Sequence, residues 1–269
     1  MSKTKPNRNN QIISHVFQAH YREGAVAFDF ERSELDTAAE ALGIVRLDNL
    51  GDLIYNFRYR NVLPDDITKT APPGLEWIIR LAGKGKYRFV LSKVNRIVPS
   101  QNHFQTKIPD ATPQIVTLHA SGDEQALLTK VRYNKLIDIF LSVTAYHLQS
   151  HLRTTVPEMG QIETDDVYVA VRNTGQQFVV PVQGKGGTDQ IGVVQVEQDL
   201  ALCKHAFPDL TARPVAVQFK SDEQGEVIVM FALVLVGDEV KVVDEKHYRL
   251  VPASDISKAD LDQMASLSN

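Results

Sequence analysis

A chain of 269 residues, 43% of them hydrophobic and 23% charged, can bury a substantial core as one large or two modest globular domains. A single cysteine, Cys203, excludes a disulfide framework and a cysteine-based zinc site and fits a reducing compartment. The net charge of −4 excludes a uniformly basic nucleic-acid binder, but the balance is uneven: residues 1–120 carry 16 Lys and Arg against 12 Asp and Glu, and the rest carry 13 against 21.

The opening MSKTKPNRNNQ is polar with no apolar core behind it, so no signal peptide is expected. The longest apolar run, 227–236, is about half of the ~20 residues a membrane helix requires. No membrane partner is therefore expected, and the expected location is cytoplasmic.

In chain order, residues 1–10 read as a polar, mobile arm and 24–30 (GAVAFDF) as a short strand. Ser33, followed by Asp36, predicts the cap of a helix running to Leu42, with Gly43 as its stop. Asn49 predicts the next cap, and Leu50, Leu53, Ile54 and Phe57 then recur at helical spacing. Two strands follow, 75–81 and 87–94, joined by Gly83-Lys84-Gly85-Lys86 as a hairpin tip.

Helix, turn, helix and basic hairpin together have the layout of a winged helix. In that layout Arg58 and Arg60 would face a major groove, while Lys84, Lys86 and Arg88 would meet phosphates of double-stranded DNA. The alternative is a mixed subdomain in which Phe57 and Tyr59 pack inward and the cations are ordinary surface charges.

Residues 101–120, with Pro109 and Pro113, read as a linker with one strand at 114–118. Ser121 and Glu124 form a second capping box, opening a helix expected to reach about Leu152. Its middle, 136–148, is apolar almost all round, which marks a buried element. Arg132, Lys135 and Arg153 lie toward its ends, either against a DNA backbone or solvated.

The most informative stretch is 161–199, QIETDDVYVAVRNTGQQFVVPVQGKGGTDQIGVVQVEQD. Val167, Val169 and Val171 alternate along a strand, Asn173-Thr174-Gly175 supplies a turn, and 177–185 returns antiparallel. A turn of three or four residues sets Gln183 opposite Asp165 or Asp166. Carboxylates, an amide oxygen and the Lys185 ammonium thereby gather at one end of the hairpin.

Oxygen donors of this kind suit Mg²⁺, which takes one or two carboxylates and keeps several waters. Such an ion polarises a phosphoryl oxygen, and a nearby lysine stabilises the charge that develops. The Asp, then Gln-x-Lys, arrangement on strand, turn, strand, Gly-rich loop and helix resembles the PD-(D/E)xK, restriction-endonuclease-like, nuclease superfamily. PVQGKGG followed by GVVQVEQD resembles a bacterial branch in which Gln replaces the second acid. A fainter likeness covers NLGDLIYNFRYR.

Gln183 stands where most of the superfamily has Asp or Glu, and no Pro precedes Asp165 or Asp166. The bland alternative is a solvated polar hairpin end.

The resemblance implies a mixed α/β fold, a restriction-endonuclease-like sheet flanked by helices (121–269), preceded by a smaller helix-and-hairpin, winged-helix-like domain (1–120). It implies an endonuclease using Mg²⁺, with Mn²⁺ as a substitute. Asp165 or Asp166, with Gln183, would hold the metal, and Lys185 would serve the attacking water. Glu163 would hold a second ion or a water, and Gln195, on the following helix, would support the site. Cutting both strands of a palindrome would call for a homodimer. The competing expectation is a non-catalytic DNA-binding or structural protein on a degenerate nuclease fold.

The helix at 191–205 carries Val193, Val196, Leu200 and Cys203 as a core-facing stripe, with Gln195, Gln198 and Asp199 assigned to the opposite face. Strands are expected at 213–219, 227–236 and 240–243, with turns at 221–225 and 237–238, and a short polar helix closes the chain. His147 and His151 have the i, i+4 spacing of a helical zinc pair but no obvious third ligand. No GxSxG elbow, Walker A loop or dinucleotide fingerprint occurs.

Overall fold

The computed structural model describes residues 7–45, 49–93, 96–101, 103–119, 124–157, 159–187, 189–237 and 239–266. Its contacts separate into two units, one of residues 1–96 with 155–162 and 192–195, the other of 97–154, 163–191 and 196–269.

The first unit contains α1 (Arg8–His20), β1 (Ala27–Glu31), α2 (Ser33–Ala41), α3 (Leu50–Tyr59), α4 (Asp65–Thr68), β2 (Glu76–Gly83) and β3 (Lys86–Ser92). The strands form an antiparallel sheet in the order β1-β3-β2. Phe17 of α1 lies 5.1–5.3 Å, ring to ring, from Phe28, Trp77 and Phe89, so one helix and all three strands share an aromatic core.

The expected polar arm yields at Arg8 to α1, whose Ile12, Ile13, Val16 and Phe17 form one buried stripe. Ser33 begins α2 without capping it. Arg32 holds the cap position, and the Glu34 side chain accepts the Glu31 amide instead. Asn49 does cap α3, its side chain accepting the amide of Asp52 at 3.2 Å.

The second unit holds β5 (Gln105–Pro109), α5 (Gln114–His119), α6 (Glu124–Tyr133), α7 (Leu136–Leu141), β8 (Gln177–Lys185), β10 (Thr211–Ala212), β11 (Val215–Asp222), β12 (Gly225–Val236), β13 (Glu239–Val251), α9 (Lys258–Ser266) and most of β6 (Thr144–Val156), β7 (Gly160–Val171) and α8 (Val193–Ala206). Two-residue strands β4 (Arg96–Ile97) and β9 (Ile191–Gly192) complete the numbering.

An eight-stranded mixed sheet runs β5-β13-β12-β11-β8-β7-β6, with β10 also on β8. The β8–β11 and β13–β5 pairs are parallel, whereas β7–β8, β11–β12 and β12–β13 are antiparallel. The molecule is thus mixed α/β, its large sheet flanked by helices. No helix among the described residues is long and apolar enough to cross a membrane.

β8 is buried from Phe178 to Lys185, as a central strand covered on both faces must be. It accommodates Pro181 because its parallel partners leave a gap there: β10 pairs at Phe178 and Val179, and β11 only from Val182 onward. At Gly184 an added Cβ would lie 3.3 Å from the Leu128 side chain, so the absence of a Cβ there makes room for α6 against the sheet.

The long helix expected to reach Leu152 is three elements, α6, α7 and β6. Lys135 and Ser142 adopt left-handed conformations, φ 54° and 52°, that bound α7, and neither is a glycine that would have announced the break. From Thr144 the chain is strand, so His147 and His151 sit on β6 and not at helical spacing.

The 101–120 segment holds β5, a parallel edge strand beside β13, and residues 114–119 are helical where a strand was expected. Pro113 accepts from the amides of Val116 and Thr117 and so starts that helix in spite of its β-branched residues. Ser121, the expected cap of α6, lies outside the described residues, as does Asp238 of the 237–238 turn.

Candidate active site at the β7–β8 hairpin

The hairpin turns as its sequence predicts. Gly175 donates its amide to Arg172 O at 2.9 Å and takes φ +83°, a conformation that costs glycine little. Cross-strand pairing runs from Val171↔Gln177 to Asp166↔Val182. One step further, the regular ladder gives way to a side chain: Oδ2 of Asp165 accepts the amide of Gly184 at 2.9 Å. Asp165 is therefore the carboxyl held at Gly184, between Gln183 and Lys185 in the chain and within the electrostatic reach of Lys185.

Lys185 Nζ donates to Glu124 Oε1 at 2.9 Å, and its side chain is only 10% exposed. Burial raises the Asp165 carboxyl above its ordinary value. The Gly184 amide and Lys185 oppose the rise, and the charge of Glu124 adds to it.

Behind this pair lies a second carboxyl. Asp199 of α8 is 1% exposed, and its Oδ1 accepts from Thr164 Oγ1 at 2.5 Å and Gln183 Nε2 at 3.0 Å. Burial, the largest cause, pushes its pKa up to about 7 against those two hydrogen bonds. With its amide nitrogen spent on Asp199, Gln183 can offer a cation only its carbonyl oxygen.

Asp166 is placed elsewhere. Its carboxylate is fully buried and accepts from Arg132 Nη2 at 2.9 and 3.0 Å and from Ser150 Oγ at 2.6 Å, with His147 Nε2 at 3.1 Å. The Tyr168 hydroxyl donates to Oδ2 at 3.5 Å, so five side chains from α6, β6 and β7 share this polar knot. Glu163 is engaged by Arg153 Nε at 2.7 Å and His151 Nδ1 at 2.9 Å. Gln195 accepts the Gly192 amide through Oε1, the back-reaching half of a helix-start capping box.

Sequence reasoning treated Glu124 as a cap residue and missed its pairing with Lys185. It placed Asp199 on the outer face of α8, yet Asp199 lies three residues after Val196 and four before Cys203, the spacing of the buried stripe. That periodicity was the available signal. Thr164 carried none.

In the first unit, Arg58 Nε donates to Ile79 O at 3.3 Å, and its guanidinium lies 4.7 Å from the Tyr59 ring. Arg58 therefore braces α3 on β2. Arg60 is exposed beside Tyr55. At the hairpin, Lys84, Lys86 and Arg88 are all exposed, but Arg88 is paired in register with Asp29 and Lys86 with Glu31, 3.9 Å apart.

Comparison of the chain with family models, curated proteins and solved structures finds no match.

Proposed function

We propose that the chain is a metal-dependent endonuclease acting on double-stranded DNA, with its site at the β7–β8 hairpin of a restriction-endonuclease-like core. The observation that carries this reading is the convergence of Asp165, Gln183, Lys185 and Glu124 at one strand end. The donor set fits Mg²⁺, or Mn²⁺ in its place: Asp165, Glu124 and the Gln183 carbonyl are all oxygen ligands, and Asp165 is a carboxyl raised by burial that a cation would compensate.

Bound there, Mg²⁺ would polarise a phosphoryl oxygen and lower the pKa of a water. Asp165 and the Gln183 carbonyl would hold the ion beside the scissile phosphate. Lys185, released from Glu124 as phosphate enters, would orient the attacking water and stabilise charge on the equatorial oxygens. Glu124 would then be free to ligate or to accept the water's proton. Thr164 and Asp199 fix the rotamer of Gln183 from behind.

DNA would be gripped by Arg60, Lys84, Lys86 and Arg88 of a winged-helix-like first unit. The exposed ion pairs of Lys86 and Arg88 are each worth about 0.2–1 kcal/mol, so phosphates can displace the acids that hold them. Cleaving both strands at a palindrome would engage two copies of the chain.

A second reading, a DNA-binding protein on a degenerate nuclease core, is favoured by one observation: both polar ends of the Gln183–x–Lys185 pair already have partners, Asp199 and Glu124. Incubating supercoiled plasmid with the protein and Mg²⁺ or Mn²⁺ separates the two. Chelator-sensitive nicking or linearisation, lost in Lys185→Ala, supports the nuclease. Salt-sensitive DNA binding without cleavage supports the alternative.

A further inference from the structure

Well separated in sequence from the hairpin residues, the second unit gathers two imidazoles and a carboxylate. Each of His103, Glu245 and His247 offers one ligand atom, and these atoms lie within 4.8 Å of one another. Glu245 and His247, two residues apart on β13, project on the same face of the sheet. His103 enters just before β5, whose Gln105 pairs with His247. Continuing that parallel pairing two residues back carries His103 toward Glu245, where its ring meets that of His247.

His247 is 3% exposed, its Nε2 is 2.7 Å from Glu245 Oε1, and its ring centroid is 4.8 Å from that of His103. Both carboxylate oxygens of Glu245 are oriented from outside: Ser100 N donates to Oε1 and Ser100 Oγ to Oε2, each at 2.8 Å. A carboxylate fixed by outer hydrogen bonds and set against two imidazoles is how proteins prepare metal ligands.

We propose that His103, Glu245 and His247 form a site for a transition-metal ion of the Zn²⁺ class, separate from the proposed Mg²⁺ site. Two nitrogen donors and one oxygen suit Zn²⁺ and disfavour Mg²⁺, which takes oxygen ligands. The ion takes the place of the Nε2 hydrogen that faces Glu245, His247 keeping its one ring proton on Nδ1, and a fourth position is left for water. Its role is a clamp: through His103 it fastens the lead-in to edge strand β5 onto β13.

The test is titration of chelator-stripped full-length protein with Zn²⁺ by calorimetry and with Co²⁺ by visible absorption. The expected result is one ion per chain, a nitrogen-and-oxygen Co²⁺ spectrum without a thiolate band, and a higher Tm with Zn²⁺. His103→Gln, at a partly exposed position, and Glu245→Gln should abolish these signals while circular dichroism stays native. Ser100→Ala should weaken affinity by about tenfold. Asp165→Asn should leave binding intact, which separates this site from the hairpin whatever the fate of the nuclease reading. Folded wild-type protein that binds neither ion, or binding that survives both His103→Gln and Glu245→Gln, overturns the proposal.

Discussion

The side-chain amide of Gln183 donates to Oδ1 of Asp199 at 3.0 Å, joining the central strand of the large sheet to a buried carboxyl on α8. This bond gives a physical reason for an amide where an acid would supply more charge to a cation. In a Gln183→Glu variant a second carboxylate would face Asp199, and two such groups in a buried site share one proton. The variant should therefore keep stability near wild type at pH 5 and lose about 2 kcal/mol at pH 8 in metal-free buffer. Thermal melts at the two pH values, with and without Mg²⁺, check this; added Mg²⁺ should recover part of the loss.

Asp199 itself should impose a pH dependence on the metal-free protein. Its folded-state pKa of about 7 stands above the ordinary carboxyl value of 3.8, so between those values the folded chain holds a proton that the unfolded chain has lost. Its contribution is greatest below about pH 4 and declines as the pH rises through 7, by about 4 kcal/mol in all. Asp199→Asn keeps an acceptor for Thr164 and Gln183 and should abolish that decline. Urea denaturation of both proteins across pH 4–8 measures the difference directly.

Asp166 and Arg132 form the other half of the hairpin's electrostatics. The carboxylate is fully buried and the guanidinium about one-third exposed, so removing the acid strands a half-buried cation together with the Ser150 hydroxyl. Asp166→Ala should cost about 3 kcal/mol in chemical denaturation. Simultaneous Arg132→Met should recover part of that loss, since a cycle of the two variants isolates their coupling.

Gly184→Ala tests the close approach of α6. The new Cβ would lie 3.3 Å from two atoms of Leu128, itself 1% exposed and held in the core with Tyr168, Val180 and Val217. An expected loss of about 1 kcal/mol should be relieved in part by Leu128→Val, which removes the crowding Cδ2 and keeps a γ carbon.

The hairpin was legible because its signals are local: alternating valines, an Asn-Thr-Gly turn, and a Gln-x-Lys whose position follows from turn length. Asn49 announced α3 for the same reason. The sequence left Asp165 and Asp166 open, because a single step of register exchanges the two faces; the Gly184 amide on Asp165 and the Arg132 knot on Asp166 part them. The long helix failed because its breaks at Lys135 and Ser142 use non-glycine residues in a glycine-like conformation. The neutralising partners of Lys86 and Arg88 were hidden because they come from β1, more than fifty residues earlier, through a pairing that local pattern does not specify.

In the proposed nuclease Asp165 serves the chemistry, while Asp166 is held by Arg132 and Ser150 and serves the fold. Asp165→Asn and Asp166→Asn, purified side by side with wild type, should be compared for Mg²⁺-dependent plasmid cleavage and for Tm. Asp165→Asn should keep a Tm within a few degrees of wild type and lose cleavage. Asp166→Asn should melt markedly lower yet still cut at temperatures where it is folded. Wild-type protein that does not cut, or an Asp165→Asn variant that cuts as wild type does, would contradict this division of roles.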